Sequence, residues 1–186
     1  MIRNFICFFC FLVVFFTKVW AEDYPDRSEV LRFNEQDHYI GNVKAKVVLI
    51  EYSALSCPGC ASFHRDVFPK IKEHYIDSGE VLYILRDYPA NEPALYGAIL
   101  ANCFPQEYFR IIDVLFNSQN SWAFRKDFKK VLQNISRLSG LNPIKLKQCF
   151  ENKDMANLIL AKSYTSMKVL EINHTPTFLL GVFINR

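Results

Sequence analysis

The chain has 186 residues, 51% of them apolar and 15% aromatic. That length supports one domain with a sizeable core, and that composition excludes a disordered chain. Twenty-two basic against 19 acidic residues give a formal charge of +3, an excess too weak to require nucleic acid or an anionic membrane surface as a partner.

Residues 1–21 read as a secretory signal peptide. Arg3 supplies the positive start, residues 5–16 form an apolar stretch, and Val19-Trp20-Ala21 places small residues ahead of a cleavage point between Ala21 and Glu22. The alternative is an uncleaved anchor, but a bilayer span needs roughly 20 apolar residues and this stretch is shorter. Cleavage removes Arg3 and Lys18, leaving a charge of about +1, and removes Cys7 and Cys10. Four cysteines remain: Cys57, Cys60, Cys103 and Cys149. Export places them in an oxidising compartment, where a dithiol can act as an oxidant.

Residues 22–42 are polar and without clean periodicity. They read as an N-terminal arm with one short strand at 30–33, closed by the turn signal Gly41-Asn42. The apolar run at 45–53 is a strand buried on both faces. From 58 to 77 the pattern is helical, with Phe63, Val67, Ile71 and Tyr75 on one face and Pro69 expected to kink it. Ser78-Gly79 ends the helix, and 81–88 form the next strand, closed by Pro89. The unit is β-α-β, which predicts a parallel pair with its chemistry at the carboxyl edge. Residues 92–173 read as helical throughout. Phe124, Phe128, Val131, Leu132, Ile135 and Leu138 form a 3.6-residue stripe ended by Gly140. Asn142-Pro143 starts a short helix, and a last helix follows Asp154 with Leu160, Ala161, Tyr164 and Met167 expected to face inward.

The informative stretch is Ser53-Ala54-Leu55-Ser56-Cys57-Pro58-Gly59-Cys60, between the first strand and its helix. Pro58 suits a first helical turn, because its missing N–H would be unsatisfied there anyway. Cys57 then sits at the helix N-terminus, where free N–H groups favour a thiolate, and Cys60 lies one turn inside. An acidic, accessible cysteine beside a shielded one is suited to thiol–disulfide exchange. A zinc site would need a second ligand pair, and no other CxxC or HxxxH is present after residue 21. His64, one turn after Cys60, reads as a surface or packing residue. Tyr52, Leu55 and Phe178 are candidates for an apolar rim.

The run Glu51-Tyr52-Ser53-Ala54-Leu55-Ser56-Cys57-Pro58-Gly59-Cys60 resembles the active-site segment of DsbA-type thiol:disulfide oxidoreductases. His174-Thr175-Pro176-Thr177-Phe178 resembles that family's cis-proline loop. The resemblance covers roughly 43–180. It implies an α/β, thioredoxin-like fold with an inserted all-helical domain: a first part over 22–91, the helical insertion over 92–173, and the cis-proline strand over 174–186. It implies that Cys57 and Cys60 are catalytic and that Pro58, Gly59, Thr175 and Pro176 support them, with Pro176 cis, where the residues alone would allow an ordinary proline opening an edge strand. No cofactor beyond the Cys57–Cys60 disulfide is implied. The expected setting is the periplasm, with reduced or unfolded exported proteins as substrates and a membrane partner for reoxidation. The family places a buried acid at the position of Glu51; a solvated strand residue is the other reading. Some DsbA-like proteins carry a second disulfide in the helical domain, which Cys103 and Cys149 could form; two buried free thiols are the alternative. Two departures stand out. Gly59 replaces the histidine often found there, which helps stabilise the thiolate. After the cis-proline strand only Gly181-Val182-Phe183-Ile184-Asn185-Arg186 follow, where the family continues with a strand and a helix, so the chain reads as truncated.

Overall fold

A computed structural model of the protein describes residues 24–34 and 36–182. The expected signal peptide, with Cys7 and Cys10, and residues 183–186 lie outside the described residues. Among the described residues no helix is long and apolar enough to cross a membrane.

The centre is β2 (Val47–Ser53), paired in parallel with β3 (Val81–Asp87) and antiparallel with β4 (Thr177–Val182). A short β1 (His38–Ile40) lies antiparallel on the far side of β3, giving the order β1-β3-β2-β4. Alternation along β2 and β3 sends side chains to two cores. Val48, Ile50, Tyr52, Leu82 and Ile84 meet Leu170 and Ile172 on one face. Tyr83 and Leu85 join Cys60, Ala61 and Phe68 on the other. The register sets Glu51 against Leu85 and Phe178, and Tyr52 against Thr177. The carboxyl end of β2 therefore meets the amino end of β4.

The helix after β2 runs as α2 (Pro58–Ser62), a π turn at Phe63–Val67, α3 (Phe68–Ile71) and a second π turn at Lys72–Ile76. Pro69 lies in the first turn of α3, directly after the first π turn. Proline removes a donor from the helical ladder, and a π turn is one way to absorb that loss. Tyr75, expected on the buried face, is exposed.

Between β3 and β4 run α4 (Glu92–Cys103), α5 (Tyr108–Asn117), α6 (Phe128–Leu138), α7 (Pro143–Glu151) and α8 (Lys153–Leu170). The sulfurs of Cys103 on α4 and Cys149 on α7 are bonded at 1.99 Å. Gly97 on α4 faces a tight junction, where a Cβ would lie 3.0 Å from Leu55 Cδ1 and 3.2 Å from the Trp122 ring. The stripe expected on α6 is narrower in the fold: Phe128 and Leu132 are buried, whereas Phe124 and Leu138 are exposed. On α8 the expectation was offset. Ile159, Ser163, Ser166 and Leu170 are buried, and Leu160, Ala161, Tyr164 and Met167 face outward. α8 packs against α1 (Arg27–Leu31) and α4, and two of its four buried residues are serines, so polarity misreads this face.

The arm also differs from expectation. Residues 30–33 are not a strand; Asp26 caps α1 by accepting from the Ser28 N–H at 3.0 Å, and the strand of the arm is β1. Arg86 on β3 fastens this arm to the sheet. Its Nε and Nη2 donate to both Asp37 oxygens at 3.0 and 2.9 Å, and its remaining N–H groups reach the carbonyls of Val30 and Arg32 and the Tyr52 hydroxyl. A guanidinium has five N–H donors, and all five are used. Breaking a largely buried pair by removing one member strands the other charge. The Arg86→Met variant should therefore lose about 3–5 kcal/mol of unfolding free energy, seen as a lower urea midpoint with an unchanged slope.

Candidate active site

Cys57 is the N-cap of α2, with φ −82° and ψ 121°, and Pro58 follows in the first turn. A tight turn leads into it, with the Cys57 N–H donating to Ala54 O at 2.9 Å. Cys57 is half-buried and Cys60 wholly buried, both as free thiols. The Thr175–Pro176 peptide is cis. It brings the Thr175 carbonyl within 3.2 Å of Cys57 Sγ, and the thiol donates to it. Gly59 lies under the same proline, since a Cβ there would sit 3.3 Å from Pro176 Cδ and 3.7 Å from Cys57 Sγ.

The two thiols are held differently. Burial pushes Cys57 up, but it is outweighed by hydrogen bonds with the Thr175 side chain, the N–H and thiol of Cys60 and the Gly59 N–H, so Cys57 lies below the ordinary thiol value of 9.0. The Thr175 carbonyl accepts only from the thiol form, so the lowering rests on the donors. Burial pushes Cys60 up to about 12, against hydrogen bonds with Ser53 and Ala54.

Beneath Cys60 lies a polar cluster. Glu51 is completely buried. Its Oε2 accepts from the Tyr83 hydroxyl at 2.6 Å and lies 3.2 Å from His64 Nε2. Oε1 of Glu51 and Nδ1 of His64 have no hydrogen-bond partner among the described residues. Burial, and then the charge of Glu51, holds Tyr83 well above its ordinary value, so it remains a donor; Cys60 acts on it in the same direction.

A thioredoxin family model matches residues 33–183. The crystal structure of alpha-DsbA1 from Wolbachia pipientis superposes with a TM-score of 0.78 at 36% identity, over 83% of this chain and 79% of that one. The chain belongs to the DsbA family within the thioredoxin superfamily. A candidate protein-disulfide oxidoreductase of Rickettsia conorii is 29% identical over 152 residues, 81% of this chain and 55% of that protein. The chain thus spans about half the length of the curated relatives it matches. BdbD from Bacillus subtilis shares the fold, with a TM-score of 0.69 at 22% identity, over 80% of this chain and 84% of that one.

For this DsbA-family chain, the sheet brings together the residues that its sequence marked: Cys57, Pro58, Gly59 and Cys60 from the loop and helix, and Thr175 and Pro176 from the start of β4. Glu51 takes the buried reading, not the solvated one. His64 takes the packing reading, buried against Phe68 and Phe116 and 3.2 Å from Glu51. Two of the three expected rim residues are not at the surface: Tyr52 and Leu55 are buried, because they point into the two cores. Phe178 is partly exposed and packs on Phe63, ring centroids 4.5 Å apart. Cys103 and Cys149, bonded to each other, join α4 to α7 in the helical layer. Sequence reasoning missed Gln119. It sits on a 3₁₀ turn, Gln119–Ser121, and donates to Leu55 O and Cys57 O. A glutamine between polar residues carries no local signal of such a role.

Reduced protein should be carboxymethylated at Cys57 alone, at a rate rising with pH through a midpoint below 9.0, while Cys60 reacts only after unfolding. A lowered value also means that the Cys57 thiolate stabilises the reduced fold above the ordinary thiol value, and that this is lost as pH falls through the folded value. Glu51→Leu should cost about 1–3 kcal/mol for each group it strands, the Tyr83 hydroxyl and the His64 nitrogen. Glu51→Gln keeps an acceptor for Tyr83 and should cost less. Thermal unfolding of the oxidised proteins measures both.

Proposed function

We propose that this protein donates disulfides to exported proteins by dithiol–disulfide exchange at Cys57 and Cys60. The observation that supports it is the opposed state of the two thiols: Cys57 accessible and below the ordinary value, Cys60 buried and at about 12. In the oxidised protein a substrate thiolate attacks Cys57 Sγ and breaks the Cys57–Cys60 bond. Cys60 leaves as a thiolate and, being buried, takes up a proton to become the neutral thiol. A second substrate thiolate then attacks the substrate sulfur of the mixed disulfide and releases Cys57 as a thiolate. The substrate loses two electrons and the dithiol gains them. A thiolate held by hydrogen bonds is the better leaving group, and it makes the disulfide more oxidising.

Thr175 and Pro176 are read as the substrate ledge, where backbone groups beside Sγ pair with an extended chain. No cofactor is needed beyond the dithiol, and reoxidation falls to a membrane partner in the periplasm. The N-terminal segment supports that location, through its basic start, apolar stretch and small-residue cleavage motif.

A second reading is a reductase or isomerase, which Gly59 favours. Glycine offers no side chain to stabilise the thiolate, so that work falls to backbone N–H groups and Thr175. The reduction potential separates the two: about −120 mV marks an oxidant and about −270 mV a reductant. The oxidised protein, in stoichiometric amount, should restore the disulfides of a reduced, unfolded test protein. Cys57→Ser should abolish this, and Cys60→Ser should trap a mixed disulfide visible on a non-reducing gel. Full oxidation by the Cys57→Ser, Cys60→Ser protein would leave only a binding role.

A further inference from the structure

The active-site loop is held from outside the sheet. Gln119 belongs to the turn between α5 and α6, 62 residues from Cys57. Its Nε2 donates to the carbonyl of Leu55 at 2.8 Å and to that of Cys57 at 3.0 Å. A primary amide has two N–H donors, and both are spent on the loop. The side chain is almost completely buried, so no bulk water shares these contacts. The turn that carries it is itself stiff. Ser118 Oγ donates to Val114 O at 2.6 Å, Ser121 Oγ donates to Ser118 O at 2.7 Å, and the buried Trp122 donates from Nε1 to Leu115 O at 3.0 Å.

We propose that Gln119 is a positioning residue for the disulfide chemistry: its amide clamps the carbonyls of Leu55 and Cys57 and so holds the Cys57 sulfur against the N–H groups of the first helical turn. This rests on the exchange reading above. The Cys57 carbonyl already accepts from the Ala61 N–H at 3.1 Å, as the first bond of the helix. With Gln119 on the same oxygen, the N-cap backbone is fixed from both sides, and with it the direction of Cα–Cβ. The clamp also caps the negative ends of two carbonyl dipoles close to a sulfur that must carry negative charge. Without it, Leu55 O loses the Gln119 donor and Cys57 O keeps only the Ala61 N–H. The loop must then open to water or shift, and Sγ leaves the Gly59 and Cys60 N–H groups. Ser56 does not replace the clamp, since its hydroxyl donates to Asn91 Oδ1 at 2.9 Å and touches neither carbonyl.

The test compares wild type with Gln119→Met, which keeps the volume and has no donor. The pH midpoint of Cys57 carboxymethylation should move up. At a fixed pH below the wild-type midpoint the rate should fall about tenfold, and the glutathione equilibrium of the dithiol should move the same way, toward a less oxidising disulfide by about 30 mV. A lower melting temperature with an unchanged midpoint and an unchanged equilibrium would overturn the proposal and leave a purely structural hydrogen bond. The labelling midpoint needs no protein substrate, so it reads correctly even if wild type fails to oxidise the test protein. Should the variant not fold, the side-chain N–H resonances of Gln119 in ¹⁵N-labelled wild type decide instead. They should titrate with the Cys57 midpoint and shift on oxidation, and resonances indifferent to both would overturn the clamp.

Discussion

A sulfur anion in a half-buried site exists only where donors converge on it, and most of this fold serves that convergence at Cys57. Burial alone would drive both thiols to the neutral form. Cys60, three residues further on, shows that outcome. Cys57 escapes it because it lies outside the first helical turn, where N–H groups have no helical acceptor. One backbone supplies two opposite environments because the chain changes from extended to helical between the two cysteines. A helix starting one turn earlier or later would bury both sulfurs or expose both.

That transition is placed by the sheet. β2 is the central strand, so its carboxyl end is fixed on both sides, by β3 through parallel pairing to Asp87 and by β4 through antiparallel pairing to Thr177. The same register that pairs Tyr52 with Thr177 delivers Thr175 to the sulfur two residues earlier in β4's chain. The cis peptide at Pro176 turns its carbonyl toward Sγ rather than into a ladder. Alternation along β2 then does the rest. Residue 51 faces the helix that carries Cys60, so a carboxylate there is buried in the layer under the inner thiol, and Tyr83, from the neighbouring strand on the same face, is its donor.

The parts of this arrangement legible in the sequence are those set by local chemistry. Pro58 after Cys57, the apolar run of β2 and the Asn142-Pro143 helix start each carry their own signal, and the threonine–proline segment became informative once paired with the CxxC. What failed depended on partners distant in sequence. Residues 30–33 look extended, yet α1 and β1 form because Arg86, more than fifty residues away, collects the carbonyls and the carboxylate of the arm. On α8 an apolar stripe was visible but faced outward, since the buried face that packs on α1 and α4 carries serines at 163 and 166. For His64 the sequence left surface and packing open, because its reason to be buried is Glu51 on another element.

Gly59 shows where local and distant control meet. A side chain at that position could stabilise the thiolate directly, and the redox balance would then be written within the CxxC itself. Without one, stabilisation falls on backbone N–H groups and Thr175, whose effect on a sulfur depends on distance and direction more than on identity. Geometry of that kind is fixed by whatever holds the backbone. Here the holders are the register of β4, the packing of Leu55 and Trp122 against Gly97, and the amide of Gln119. A glycine in the active-site dipeptide therefore transfers control of the chemistry from one residue to the helical layer packed against it. Two chains with the same Cys-Pro-Gly-Cys can then differ in redox behaviour through residues that never touch the sulfur.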